Sequence, residues 1–167
     1  ITKAGLMGSP NDIPPDEVTF GLNRIIKDIE LGKNKMALNV ARFWPDRVEF
    51  TSAAMPPVYH YKGKTGEVDE LLLEGLPLGS FKGETYSLVT LDSKVGDAFI
   101  FLSDGLPEVE NHNGEMLGYK AVLECIKNNG SLSAEEIKQA LFDLGTAWLD
   151  GLQNQDDITI VVIKKEK

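Results

Sequence analysis

Three carboxylates carry the chemistry that this sequence offers. Asp104 ends an apolar run, Ala98 to Leu102, and is followed at once by Gly105. Asp156 and Asp157 open a second apolar stretch 52 positions further on. If the two runs are neighbouring antiparallel strands, the end of one meets the start of the other, and the acids share one sheet edge. Clustered carboxylates repel unless something positive sits between them. A hard dication, Mg²⁺ or Mn²⁺, is the economical partner, because it takes oxygen ligands. Gly105 lets the backbone turn sharply and approach closely. The plain alternative is that Asp-Gly is a turn pair and Asp before a strand is a cap. Asp150-Gly151, behind an amphipathic stripe, reads as such a helix stop.

The elements that must hold these acids are legible in outline. Pro14-Pro15 marks a boundary after a mixed leader, 1–13, and Pro15, Asp16 and Glu17 suit the first turn of a helix. Val18, Leu22, Ile25, Ile26 and Ile29 recur at helical spacing, which predicts a helix over 15–31. Met36, Leu38 and Val40, the turn at 44–47, and Val48 and Phe50 predict a hairpin. "VYHYK" after Pro56-Pro57, then 68–74, then 84–90 read as strands, with loops at "GKTGE" and 75–80. "GDAFIFLS" does not alternate, as expected of a strand buried on both faces. Tyr119, Val122, Leu123 and Ile126 share one helical face. Ile137, Ala140, Leu141, Leu144 and Trp148 share another, behind a capping box at Ser133 and Glu136. "DDITIVVIKK" is a closing strand. Strands grouped and helices grouped predict an α+β chain with antiparallel pairing. The helical stripes, Trp44 and Trp148 are assigned to packing, and His60, alternating with tyrosines, to structure.

Bulk properties narrow the function classes. The chain has 167 residues, 42% hydrophobic and 26% charged, ordinary for one globular domain. Lys plus Arg is 17 against 26 Asp plus Glu, a formal net charge of -9. That balance disfavours nucleic acid and anionic membrane surfaces and suits a cation or a basic protein partner. The single Cys125 excludes an internal disulfide and sits in an apolar helical pattern, so it reads as inert packing. No run approaches the roughly 18 apolar residues of a membrane helix, and no signal peptide is visible.

"FIFLSDGLPEVENHNGEMLG", followed by "QDDITIVVI", resembles the metal-dependent protein phosphatases, the PPM family, in their bacterial stage-II-sporulation-type branch. The matching pieces are Ser103-Asp104-Gly105, Glu108 to Asn111, Gly114 to Gly118 and Asp156 to Thr159, with "GLPLG" at 75–79. The resemblance spans about residue 18 to the end. It implies an antiparallel β-sandwich flanked by helices in α-β-β-α layers, with two Mn²⁺ or Mg²⁺ ions at one end. It makes Asp104 and Asp156 catalytic metal ligands, and Asp157 a metal-site residue that orients its neighbour or a ligand water. The implied reaction is hydrolysis of phosphoserine or phosphothreonine by a metal-bound water, with no covalent intermediate. Members of this branch typically follow a sensor domain and act on phosphorylated regulators such as anti-sigma-factor antagonists. The implied location is the cytoplasm, with any membrane anchor in upstream segments.

The sequence departs from the family pattern in two places. The family's first metal motif, an Asp-Gly on an early strand, is absent from residues 1–103. The expectation is therefore an N-terminally truncated single domain, 1–167, holding half a site, with weak metal binding and little activity of its own. Such a domain exposes an edge and can form a homodimer. At "SAAMPPVYHY", Ser52 and Met55 stand where the branch often carries Asn and His. The alternatives are a non-catalytic phosphatase-like binding module, or an unrelated α+β domain whose acidic loops are ordinary turns.

Overall fold

The computed structural model describes residues 13–29 and 34–167. The elements run α1 (Pro15–Asp28), β1 (Leu38–Phe43), β2 (Arg47–Ala53), β3 (Val58–Tyr61), β4 (Val68–Leu71), β5 (Val89–Asp92), β6 (Ala98–Leu102), α2 (Gly118–Asn129), α3 (Ala134–Leu149) and β7 (Ile160–Lys164). Every strand pair is antiparallel. The chain divides into two compact units, Ile1–Met55 with Leu73–Ser93, and Pro56–Leu72 with Lys94–Lys167.

The first unit holds α1 and a sheet of order β1-β2-β5. Val18, Leu22 and Ile26 of α1 are buried with Ala53, Leu78 and Tyr86. Asn23 stitches the following loop to this helix: its Oδ1 accepts from the Gly79 amide at 2.8 Å and its Nδ2 donates to the Phe81 carbonyl at 2.8 Å. Four expectations need correction here. Ile25 and Ile29 lie on the exposed side of α1, so its apolar stripe is narrower than the spacing suggests. The helix ends at Asp28; positions 30 and 31, and the leader through residue 12, lie outside the described residues. The strand expected over 84–90 forms only from Val89, because β2 offers a partner for 89–92 and Tyr86 is instead drawn into the core. Trp44 is exposed too, with the Arg47 guanidinium 4.8 Å from its ring centroid.

The second unit holds the sheet β4-β3-β6-β7 and both later helices. Ala98, Ile100 and Leu102 of β6 are buried with Val122 and Ile126 of α2 and Ile137 and Leu141 of α3. β6 is a central strand buried along nearly all its length, as its unbroken apolar run predicts. The capping box at the start of α3 is formed: Ser133 Oγ accepts from the Glu136 amide at 3.3 Å, and the Ser133 amide donates to Glu136 Oε2 at 2.9 Å. Such caps stabilise by about 1 kcal/mol. Asp150 ends α3 in the left-handed region (φ 45°), followed by Gly151 at φ 86°, the expected stop. Cys125 is partly buried on α2, and burial pushes its thiol pKa up, which keeps it protonated and unreactive.

The far end of β6 is closed by a buried contact between an imidazole and a carboxylate. His60 and Asp97 are only 6% and 4% exposed. Asp97 Oδ2 faces His60 Nε2 at 3.2 Å and accepts the Lys94 amide at 2.9 Å, while Oδ1 accepts the Gly63 amide at 2.9 Å. The imidazole stacks on Phe99, with ring centroids 4.4 Å apart. Burial raises the Asp97 pKa, but the bonds from Lys94, Gly63 and His60 outweigh it and hold the carboxyl below its ordinary value. His60 is thus a packing and register residue, consistent with its sequence reading. Among the described residues no helix is long and apolar enough to cross a membrane.

Candidate functional site

β6 and β7 pair antiparallel from Ala98↔Lys164 to Leu102↔Ile160. The end of β6 therefore meets the start of β7, and the pairing runs on past both strands. The Ser103 amide donates to the Thr159 carbonyl at 3.0 Å. The Ser103 hydroxyl then accepts from the Thr159 amide at 2.9 Å and donates to the Asp157 carbonyl at 3.2 Å. One serine thus satisfies three backbone groups of the incoming loop, two of them through its hydroxyl, and ties residues 157–159 to the strand end.

Gly105 explains itself in this geometry. A Cβ there would lie 2.3 Å from the Asp157 carbonyl oxygen and 3.0 Å from its carbon. The backbone at Gly105 is not in the left-handed region. The glycine is required for close approach of two chains, and the sharp turn also expected of it is not the reason. Asp156 and Asp157 precede β7 and do not open it, because β7 begins at Ile160. Their loop is internally fixed: Asp156 Oδ1 accepts from the Asp157 amide at 2.8 Å, and Asn154 Nδ2 donates to the Asp156 carbonyl. Asp104, Asp156 and Asp157 are all exposed at this one edge of the sheet.

Beside the edge lies an open cleft of about 550 Å³, which Gly105 and Asp156 help to line. One wall is the excursion after β6. Leu106, Val109 and Leu117 anchor it in the core. Asn111 shapes its tip: Oδ1 accepts from the Asn113 amide at 2.9 Å and the Glu115 amide at 3.1 Å, and Nδ2 donates to Glu115 Oε2 at 2.9 Å. Trp148 Nε1 donates to the Glu115 carbonyl at 2.9 Å, pinning the excursion to α3. His112 Nε2 donates to the Asp150 carbonyl at 3.1 Å and closes the tip onto the helix stop. Asn111, Trp148 and His112 therefore build the cleft. Sequence reasoning left Asn111 without a role and gave Trp148 to packing alone; an Asn ahead of an Asn-Gly pair is the turn signal that points to the first. Tyr119 at the start of α2 stands near the acids. Burial, then the charges of Glu108, Asp104 and Glu70, push its phenol pKa up.

Carboxylate oxygens are the donors a hard dication selects, so the residues fit such an ion in kind. They fall short in number. Six or more oxygens complete such a shell, and among the described residues no three His, Cys, Asp or Glu side chains stand together as a metal-holding group.

Antiparallel sheets packed with helices are shared with solved PP2C phosphatase domains. The SiaA PP2C domain of Pseudomonas aeruginosa superposes with a TM-score of 0.81 at 16% identity, covering 99% of this chain and 66% of that one. The catalytic domain of the serine/threonine phosphatase PstP, solved in complex with 2 manganese ions, gives a TM-score of 0.68 at 16% identity, covering 96% and 77%. In sequence, residues 8–166 match the family Stage II sporulation protein E (SpoIIE). The chain belongs to that family. It is 26% identical over 156 residues to the phosphoserine phosphatase RsbU of Bacillus subtilis, which covers 92% of this chain and 46% of that protein. The chain thus spans a little under half the length of this curated relative.

Proposed function

We infer that this chain supplies the catalytic part of a protein serine/threonine phosphatase, in which Asp104 and Asp156 serve as ligands of a Mn²⁺ or Mg²⁺ pair and Asp157 orients that shell. The observation that carries this reading is the tie between Ser103 and residues 157–159, which holds Asp104 and the Asp156-Asp157 pair at one edge. Bound dications in such a site supply an acidified water and offset charge on phosphoryl oxygens. The chain's own part is to hold the two carboxylates at fixed strand ends and to keep a preformed cleft beside them. The remaining donors come from outside the described set. The substrate would be a phosphoserine side chain, as the name of the RsbU relative, a phosphoserine phosphatase, suggests; on the family resemblance it would be carried by a phosphorylated regulator such as an anti-sigma-factor antagonist. The family resemblance adds to this proposal an upstream sensor domain in the same polypeptide and a cytoplasmic setting.

A second reading, a phosphatase-like module that binds without turnover, is favoured by one observation: the described acids do not make a three-membered metal group. Phosphate release from a phosphoserine peptide by the complete protein decides between them. The phosphatase reading predicts Mn²⁺-dependent release that falls by more than about 100-fold in Asp104→Asn, since even outer-shell changes at metal sites cost 10–100-fold. Release that is absent in the parent, or unchanged by the substitution, contradicts it.

A further inference from the structure

We propose that the cleft between the 105–116 excursion and the 149–156 segment seats the polypeptide that flanks the phosphorylated residue, and that it selects a basic and an apolar side chain there. This rests on the phosphatase reading for the position of the phosphoryl group, but the cleft's chemistry stands on its own lining. Met116 is 57% exposed and Leu152 is 39% exposed, facing water across a groove rather than entering the core that lies behind them. Apolar side chains left open in this way along a walled groove mark a place where another chain is received. The same walls carry Glu108, Glu110 and Asp156, and among the described residues no lysine or arginine lines the groove. An acidic groove with an apolar wall is complementary to an extended segment carrying Lys or Arg beside Leu or Met, and it repels an acidic one. The chain's formal charge of -9 adds long-range attraction of the same sign.

The groove is also rigid before any partner arrives. Asn111, Trp148 and His112 hydrogen-bond its walls into place, so little ordering cost falls on binding. It borders the acids, since Gly105, which follows Asp104, and Asp156 are among its lining residues. A peptide lying in it would lead its phosphorylated residue to Asp104 and Asp156.

Fluorescein-labelled, unphosphorylated peptides carrying a serine flanked by Lys and Leu, and the same peptides with Glu for Lys or Ser for Leu, test this by anisotropy with the full chain in EDTA. The Lys-Leu peptide is expected to bind about tenfold or more tighter than its Glu counterpart, an advantage that shrinks as salt is raised. Glu110→Lys should reverse the charge preference. Met116→Ser should erase the preference for Leu while leaving the charge preference intact. Equal affinity for the Lys and Glu peptides, or preferences untouched by both variants, overturns the proposal. Circular dichroism confirms that each variant is folded. Hydrolysis of p-nitrophenyl phosphate by the complete protein, which needs no groove, keeps the two readings apart. Selective binding without hydrolysis removes the reaction and keeps the cleft; hydrolysis without selectivity removes the cleft and keeps the reaction.

Discussion

Gly105→Ala is expected to lower the urea midpoint of this protein and to weaken Mn²⁺ binding at the proposed site, although the substitution adds one methyl group and removes none of the proposed ligands. The added carbon would sit 2.3 Å from the Asp157 carbonyl oxygen, inside any tolerable contact, and the atom it meets is backbone that cannot swing aside. The loop before β7 must retreat. With it go the bonds from Ser103 to the Asp157 carbonyl and from the Thr159 amide to Ser103. Overpacking of this kind costs about 1–3 kcal/mol. Equilibrium unfolding, with an unchanged slope against denaturant, measures the stability loss. The same variant separates sheet pairing from chemistry, because it moves Asp156 and Asp157 away from Asp104 without altering any carboxylate. A midpoint and a Mn²⁺ affinity equal to those of the parent would mean that the two strand ends are not in contact.

Asp97→Ala is expected to cost more stability, about 3–5 kcal/mol, at the opposite end of β6. It strips a buried imidazole of its carboxylate and leaves the Lys94 and Gly63 amides without their acceptor. Because the neighbouring hydrogen bonds hold the Asp97 pKa below its unfolded value of about 3.9, the contribution is fully present above that pH. It is lost as the pH falls through the folded value. Thermal melts from pH 7 down to pH 2 should therefore show the gap between parent and variant narrowing only on the acid side of pH 4. A gap that stayed constant into acid, or closed near pH 6, would mean that the carboxylate is not the group being stabilised. Gly63 adds to the strain-free closure of this end, since a Cβ there would lie 2.4 Å from the Gly96 carbonyl carbon.

Much of the fold was legible in the chain, for physical reasons that differ from element to element. β6 announces itself because a strand buried on both faces needs an unbroken apolar run, and Ala98–Leu102 is one. α3 announces itself because its cap and its stripe agree. The hairpin of β1 and β2 is marked by its turn, where the Trp44 amide donates to the Arg47 carbonyl at 2.8 Å. The strand expected at 84–90 pairs with β2 only from Val89, since Tyr86 is drawn into the core; β-propensity is only a tendency that packing overrides. The helix expected over 15–31 starts where expected and ends at Asp28, yet Ile25 and Ile29 turn outward; periodicity shows that a face is apolar, not how wide a strip its neighbours cover.

At the site, spacing brought Asp104 and the Asp156-Asp157 pair to one edge by assuming an antiparallel β6–β7 pair, and that pair exists. What spacing could not give was the means. Ser103 looks like any small polar residue before a turn, and only the registered partner strand shows its hydroxyl serving two backbone groups. The cleft was equally hidden, because it depends on Trp148 and His112 reaching across from segments more than thirty positions apart.

The central claim is that the joined strand ends of β6 and β7 provide a partial dication site. Isothermal titration of the chain with Mn²⁺ tests it most directly, using the parent, Asp104→Asn, Asp156→Asn and the double variant, with Asp143→Asn as an exposed control on α3. The account predicts weak binding in the parent, lost in either single variant, no worse in the double, and unchanged in the control. Tight binding of two ions by the parent, or weak binding that survives both substitutions, would contradict it.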